Sequence, residues 1–287
     1  MKKSSLLCLF ILCLFACSNE EVIQRDIDFI EVDERSRLIK EEAILAGLTK
    51  VLTIDHARLA KKEKAELGAS KVDLFSDVNI NTSLILENTL VGLDLPFRII
   101  SYAQAGVVKT MYTDAIFLQK RHSLQESDNL QRYKEKLVAI TKGVADAKPV
   151  NTQALEPNYG ITKIVSDFNF ETTLENIKRD VLKEGDTIWF INLDYKAEAK
   201  KIGKNLPNAT LLIFGAPGPG ATAMLDFPSI GLDAFGQKVL VYSEQGKVMV
   251  AYNDIVALSK LHYQNNAIAH RVINFRLGKT LFNAVEK

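Results

Sequence analysis

The sequence predicts an α+β protein built from two similar domains, each an antiparallel sheet with helices on one face, packed together as a pseudo-dimer. Three observations predict it. The 287-residue chain matches itself when shifted by about half its length. The second half reads as strand, helix, mostly strands, then helix, the order expected of an antiparallel sheet with segregated helices. A composition 47% hydrophobic and 25% charged is that of a chain with a packed core.

The N-terminus is read first, because it is an address. Lys2 and Lys3 precede an apolar run from Leu6 to Phe15, and the chain turns polar after Cys17. This is the pattern of a secretory signal over residues 1–16. The run is roughly half of the ~20 residues a helix needs to cross a bilayer, so a permanent span is not expected. Leu14, Phe15, Ala16 and Cys17 resemble a bacterial lipobox, which implies a diacylglyceryl group on the Cys17 thiol and then cleavage before it. Cys8, Cys13 and Cys17 are the three cysteines, so a processed chain keeps only the lipid-bearing one, and disulfides and thiolate metal sites are excluded. Several acyl chains anchor durably. Ser18 does not resemble the aspartate of an inner-membrane retention signal, and Asn19, Glu20 and Glu21 resemble the acidic tethers of some surface lipoproteins. The expectation is a bacterial cell-envelope protein held by Cys17, with the outer membrane favoured and residues 17–24 as tether.

The body is one unit written twice. Tyr112, Asp114, Leu118, Lys120 and His122 match Tyr252, Asp254, Leu258, Lys260 and His262 at one constant shift. One residue less aligns Gly92, Leu93 and Asp94 with Gly231, Leu232 and Asp233, Asp55 with Asp194, and Phe75 with Phe214, which places a single-residue slip near Leu95. Asp28 and Phe29 match Asp167 and Phe168, so the first copy is read as residues 25–147 and the second as 161–287. Between them, Lys148 to Gly160 carries Pro149, Pro157, Asn151 and Asn158 without periodicity and reads as a linker.

In the second copy, Ile161 to Phe170 reads as a strand, and Thr172 or Thr173 caps a helix to Lys183 with Leu174, Ile177 and Val181 on one face. Gly185 and Asp186 turn the chain into a strand over Thr187 to Leu193, and Lys196 to Lys204 forms a short helix. Ala209 to Phe214 is a strand, Gly215 to Gly220 an irregular loop, and Lys238 to Tyr242 with Lys247 to Tyr252 a hairpin around Gln245 and Gly246. A helix follows Asp254. Leu124 to Lys142 and Asn266 to Val285 extend the two copies as helices, with apolar faces at Leu130, Leu137 and Ile140 and at Ile268, Val272, Phe275 and Leu281 that need a partner.

The run Thr210 to Gly215, then Gly231, Leu232 and Asp233, then Lys238 to Tyr242, then Val248 to Asp254 with His262, is similar to the domain of unknown function 302 family, with the first copy degenerate. The resemblance implies the TATA-binding-protein-like sheet-and-helix fold and pairing of domains, and it implies no established activity. It does not import DNA binding: Lys plus Arg number 36 against 35 Asp plus Glu, and loss of Lys2 and Lys3 leaves 34 basic residues. No nucleic-acid partner is expected.

The candidate site residues are those that recur: His122 and His262, Asp114 and Asp254, Asp94 and Asp233, with Tyr252. Eight residues separate each His from the Asp before it on its helix, roughly 12 Å along the axis and too far for a direct acid–base pair. Structurally, the aspartate caps the first turn and the histidine sits near the last. Functionally, His122 and His262 converge at the pseudo-twofold junction on a metal or an acidic ligand, where three or four ligands would require Asp55, Asp194 or Tyr252 to join. Asp94 and Asp233 either satisfy a turn or line a pocket. His56 and His270 have no counterpart and are assigned surface or capping roles, and Trp189 is assigned to the core. Gly215 to Gly220 resembles a phosphate cradle only superficially, because Pro217 and Pro219 lack N–H donors, so a connecting or ligand-covering loop is expected. No Ser or Cys nucleophile sits in a recognisable motif and no catalytic residue is assigned. Three readings follow: a lipid-anchored binder of a small ligand or envelope partner with no cofactor, a metal-dependent enzyme using the repeated His and Asp, and a scaffold.

Overall fold

A computed structural model describes the backbone from Ser4 to Lys287 and the side chains from Val22 onward. The lipidation expected at Cys17 falls on a side chain outside the described residues. Among the described residues, no helix is long and apolar enough to cross a membrane.

Helix α1 (Ser4–Leu45) leads into β1 (Thr49–Asp55), α2 (His56–Lys62), β2 (Ser70–Ser76), α3 (Val78–Glu87), a 3-10 turn (Thr89–Leu93), β3 (Phe97–Gln104), β4 (Val107–Tyr112), α4 (Ala115–His122), α5 (Asp128–Thr141) and β5 (Lys148–Pro149). The second half holds β6 (Ile161–Ser166), α6 (Phe170–Lys183), β7 (Ile188–Asp194), α7 (Tyr195–Lys201), β8 (Ala209–Gly215), α8 (Pro217–Met224), a second 3-10 turn (Pro228–Leu232), β9 (Gln237–Glu244), β10 (Lys247–Asn253), α9 (Ile255–Tyr263) and α10 (Ile268–Val285). The architecture is mixed α+β with two five-stranded sheets, ordered β1-β2-β3-β4-β5 and β6-β10-β9-β8-β7.

The repeat is visible at residue level. β1 and β7 each carry a register shift, between Lys50 and Leu52 and between Trp189 and Ile191, so that Val51 and Phe190 are equivalent bulges. The two 3-10 turns end at the equivalent Asp94 and Asp233. Cis peptide bonds follow at Leu95–Pro96 and Phe235–Gly236. Strands β3 and β9 begin at Phe97 and Gln237, so the second copy carries one extra residue between Asp233 and Gln237, the slip near Leu95.

Side-chain alternation then sorts the layers. On β3, Phe97 stacks on Tyr133 of α5, whereas Arg98 reaches Asp233 and Ile100 lies beneath Gly231. On β9, Gln237 lies under α10, whereas Leu240 lies against Gly92. Each sheet thus has helices on one face and the other repeat on the opposite face, and the apolar core is continuous across the junction. Gly92 and Gly231 allow the close approach: a Cβ on Gly231 would come within 2.6 Å of Met224 Cε and 2.9 Å of Ile100 Cδ1.

The structure departs from the sequence reading at several points. The two copies are built differently at Asp28 and Phe29: these lie within α1, while Asp167 and Phe168 follow β6. The buried carboxylate of Asp73 on β2 holds α1 in place, accepting from Ser36 and Thr53 at 2.5 Å with Lys40 at 3.3 Å. With no first strand, the edge position beside β4 is filled from the linker by β5, which runs parallel, so the first sheet is not wholly antiparallel. Gly215 to Gly220 is not irregular throughout, because Pro217 begins α8 at a position where its missing N–H costs nothing. The α10 face does not close over all its apolar residues: Leu281 is buried, but Ile268, Val272 and Phe275 stand exposed.

Candidate functional site

The two histidines do converge toward the junction, each through an aspartate. The turn Thr89–Leu93 delivers Asp94 and the turn Pro228–Leu232 delivers Asp233, both fully buried. The last turn of α4 presents His122, whose Nε2 lies 2.6 Å from Asp94 Oδ2; the last turn of α9 presents His262, whose Nε2 lies 2.9 Å from Asp233 Oδ2.

Arg98 bridges the halves. Its Nη2 donates to Asp94 Oδ1 at 2.9 Å and to Asp233 Oδ1 at 2.6 Å, and Nη1 donates to the Asp94 carbonyl. Arg121 donates from Nη1 to both oxygens of Asp94 at 2.8 Å and from Nη2 to Asn253 Oδ1 at 2.8 Å. Its Nε donates to the Tyr159 carbonyl, which fastens the end of the linker to the same cluster. Tyr195, from α7, completes the crossing by donating to the Gly92 carbonyl at 2.9 Å.

The electrostatics follow from burial and count. Burial opposes the charge on Asp94, but Arg121, Arg98 and the His122 hydrogen bond outweigh it and hold the carboxyl well below the usual range. For Asp233, burial is likewise overcome, chiefly by Arg98 and His262. Burial lowers His122 more than Asp94 raises it, so the ring is neutral at pH 7, with its proton on Nε2 and a buried Nδ1 that has no partner among the described residues. His262 differs, because its Nδ1 meets Ser229 Oγ at 3.0 Å. Two carboxylates and two guanidiniums already balance. Lys238, the counterpart of Arg98, is a surplus cation 3.8 Å from Asp233 with no hydrogen-bond partner among the described residues, and burial followed by Arg98 pushes its ammonium down to about 7.

The other recurring residues lie elsewhere. Asp114 and Asp254 cap α4 and α9, accepting from Phe117 N at 2.8 Å and Ala257 N at 3.0 Å. Asp55 and Asp194 cap α2 and α7. Tyr252 alternates with Asn253 on β10 and lies on the α10 side near Gly278, away from the ion cluster. Among the described residues, no group of three His, Cys, Asp or Glu side chains stands placed to hold a metal ion. His56 and His270 are buried, not surface residues: His56 sits against Gly231 as Tyr195 sits against Gly92, with burial lowering it to about 4, while His270 keeps its capping role, its Nδ1 accepting from Ala267 N at 3.0 Å at the start of α10 and its Nε2 bonding the Ala223 carbonyl at 2.8 Å.

Arg98, Arg121, Lys238 and Asn253 were not visible as site residues in the sequence. The signal available was a charged residue inside an otherwise apolar strand at matching positions of both copies, Arg98 in FRIIS and Lys238 in KVLVY.

Two clefts elsewhere in the second copy and at the junction meet at Phe235. One, a shallow cleft of about 40 Å³, lies between α6, α10 and the sheet, with Val181, Phe214, Ile273 and Leu277 on its walls. The other, about 20 Å³, lies at the junction of the repeats between Ile54, His56 and Leu67 on one side and Phe190 and Met224 on the other. Ala216, Gly220 and Phe235 line both. The first copy builds this stretch differently: α3 has a side-chain cap from Asp77, whereas α8 has none.

Fold and site together define a tandem-repeat α+β protein whose halves share one buried ion cluster. The chain belongs to the family described as Domain of unknown function DUF302, whose model matches residues 23–144 and 161–277. It is 31% identical over 103 residues to the fluoride-specific ion channel FluC 1 of Brucella suis biovar 1, covering 36% of this chain and 40% of that protein. The same identity holds with the fluoride-specific ion channel FluC 1 of Brucella abortus biovar 1, of which 38% is covered. The chain therefore spans well under half the length of these relatives. It is also similar to the crystal structure of an uncharacterized conserved DUF302 protein from Bacillus stearothermophilus, at 15% identity and a TM-score of 0.37, covering 44% of this chain and 98% of that one.

Proposed function

We propose that this protein is a lipid-anchored component of the bacterial cell envelope that binds a small, largely apolar ligand in the clefts around Phe235. The observation that carries the binding reading is that the Gly215–Gly220 segment, which has no glycine-rich counterpart in the first copy, lines both clefts. Their walls are mostly apolar, as those of small-molecule sites are. The lipid anchor is supported by the resemblance of Leu14 to Cys17 to a lipobox. The buried His and Asp have a different role in this reading: every carboxylate is paired and the set joins the two repeats.

Thermal unfolding of the full chain against divalent metals, haem, nucleotides and fatty acids tests this, because a ligand preferring the native state raises the midpoint. Fatty acids or similar apolar molecules should stabilise, and Gly220→Val, which places a side chain against Phe235, should abolish the effect. Stabilisation by a metal alone would favour the enzyme reading. A lipid-sized mass increment on Cys17, lost in Cys17→Ser, tests the anchor separately.

A further inference from the structure

Helix α10 exposes Ile268, Val272, Phe275 and Phe282, with relative exposures of 74%, 59%, 73% and 48%. Their spacing of four, three and seven puts them on one stripe of the helix. Lys279 lies within that stripe and Arg271 beside it, both exposed. The chain supplies its own control. At the equivalent positions of α5 the stripe is Asp128, Arg132, Glu135 and Lys142, the charged surface expected of a solvated helix. The same place in the same fold is therefore solvated in one repeat and apolar in the other.

Charge decides what covers it. From Ile268 to Val285 the helix carries Arg271, Arg276 and Lys279 and no carboxylate. Arg276 is held by Glu184 and Asp186, while Arg271 and Lys279 pair with no carboxylate among the described residues. Packing this face against a second copy of itself would bury two Lys279 ammoniums with no acid on either helix, a costly arrangement. A bilayer accommodates it: the phenylalanines enter the headgroup boundary, the lysine stem lies among them and its charge reaches up to lipid phosphate. We infer that the exposed face of α10 lies on an anionic lipid surface. This goes beyond the ligand and anchor readings and does not require lipid on Cys17.

The test reads α10 locally in the full chain. Phe275→Trp is mixed with phosphatidylglycerol vesicles containing brominated acyl chains, and the unsubstituted chain, with Trp189 alone, serves as reference. The added indole should be quenched on phosphatidylglycerol and not on phosphatidylcholine, and Arg271→Glu with Lys279→Glu should abolish quenching. Glu135→Trp, at the equivalent site of α5, should stay unquenched. Absence of quenching in Phe275→Trp on anionic vesicles overturns the inference, as does equal quenching at 135 and 275 or on phosphatidylcholine. So does self-association that shields the introduced indole without lipid. Repeating the measurement in Cys17→Ser separates failure of the lipid anchor from failure of this contact.

Discussion

The two halves of the buried cluster occupy equivalent positions and share their burden unequally. Asp94 is held by two guanidiniums and a histidine; its counterpart Asp233 is held by one guanidinium, a histidine and a lysine 3.8 Å away. Arg98 became the bridge, and Lys238 in the mirror position has no hydrogen bond among the described residues. Arg121 corresponds to Leu261, so only the first half contributes the second guanidinium. In a true twofold dimer every residue must suit both sides of the axis. Once two copies are joined in one chain each position has one environment, and a central site with room for one bridging cation can be filled from one side alone.

The largest test of this asymmetry removes a carboxylate. Asp94→Ala should destabilise by about 3–5 kcal/mol in urea unfolding, because it leaves Arg121 buried without a counter-charge. Asp233→Ala should cost less, since Lys238 can shed its proton and Arg98 keeps Asp94. Equal costs would break the comparison.

Next is Lys238→Met, which should stabilise by about 1–4 kcal/mol by removing the surplus buried charge. The pH dependence gives its signature. The unfolded lysine keeps its proton up to its ordinary 10.5, while the native one releases it above about 7. Between those values the unfolded state binds more protons, so native stability rises with pH, and below 7 the penalty is present in full. Unfolding midpoints across this window should rise in the natural chain and flatten in the variant.

A smaller contrast separates the two junction glycines. Gly231→Ala should cost about 1–3 kcal/mol, because its Cβ would meet Met224, Ile100 and His56 within 3.1 Å. Gly92→Ala should cost less, since its Cβ meets Tyr195 at 3.1 Å and Leu240 at 3.2 Å. The smallest effects belong to the caps, where Asp114→Ala and Asp254→Ala should each cost about 1 kcal/mol and leave the ion cluster intact.

How much of this the sequence disclosed follows from which signals are local. Strand and helix periodicities placed β6 to β10 and α6, α7, α9 and α10 within a few residues, because each element buries one face with its own period. The repeat located the slip and both aspartate–histidine sets. It could not say that His122 answers to Asp94, 28 residues earlier, and not to Asp114 on its own helix, because that pairing depends on how a turn and a helix end meet in space. The two identities at Asp28 and Phe29 placed the front of the first copy but not its conformation, because a run rich in Glu, Arg, Leu and Ala there favours helix. The bridging of Arg98 to the other repeat is a tertiary fact with no local pattern.

The two-residue strand β5 has a practical consequence for dividing the chain. A polypeptide ending at Ala147 would lose Lys148 and Pro149 and leave the outer side of β4 bare, a template for aggregation. One beginning at Ile161 would keep all its own strands yet strand the Asp233 carboxylate without a guanidinium. Ancestry and hydrogen bonding draw their borders through different residues, and neither border is a safe place for a protease or a cloning junction.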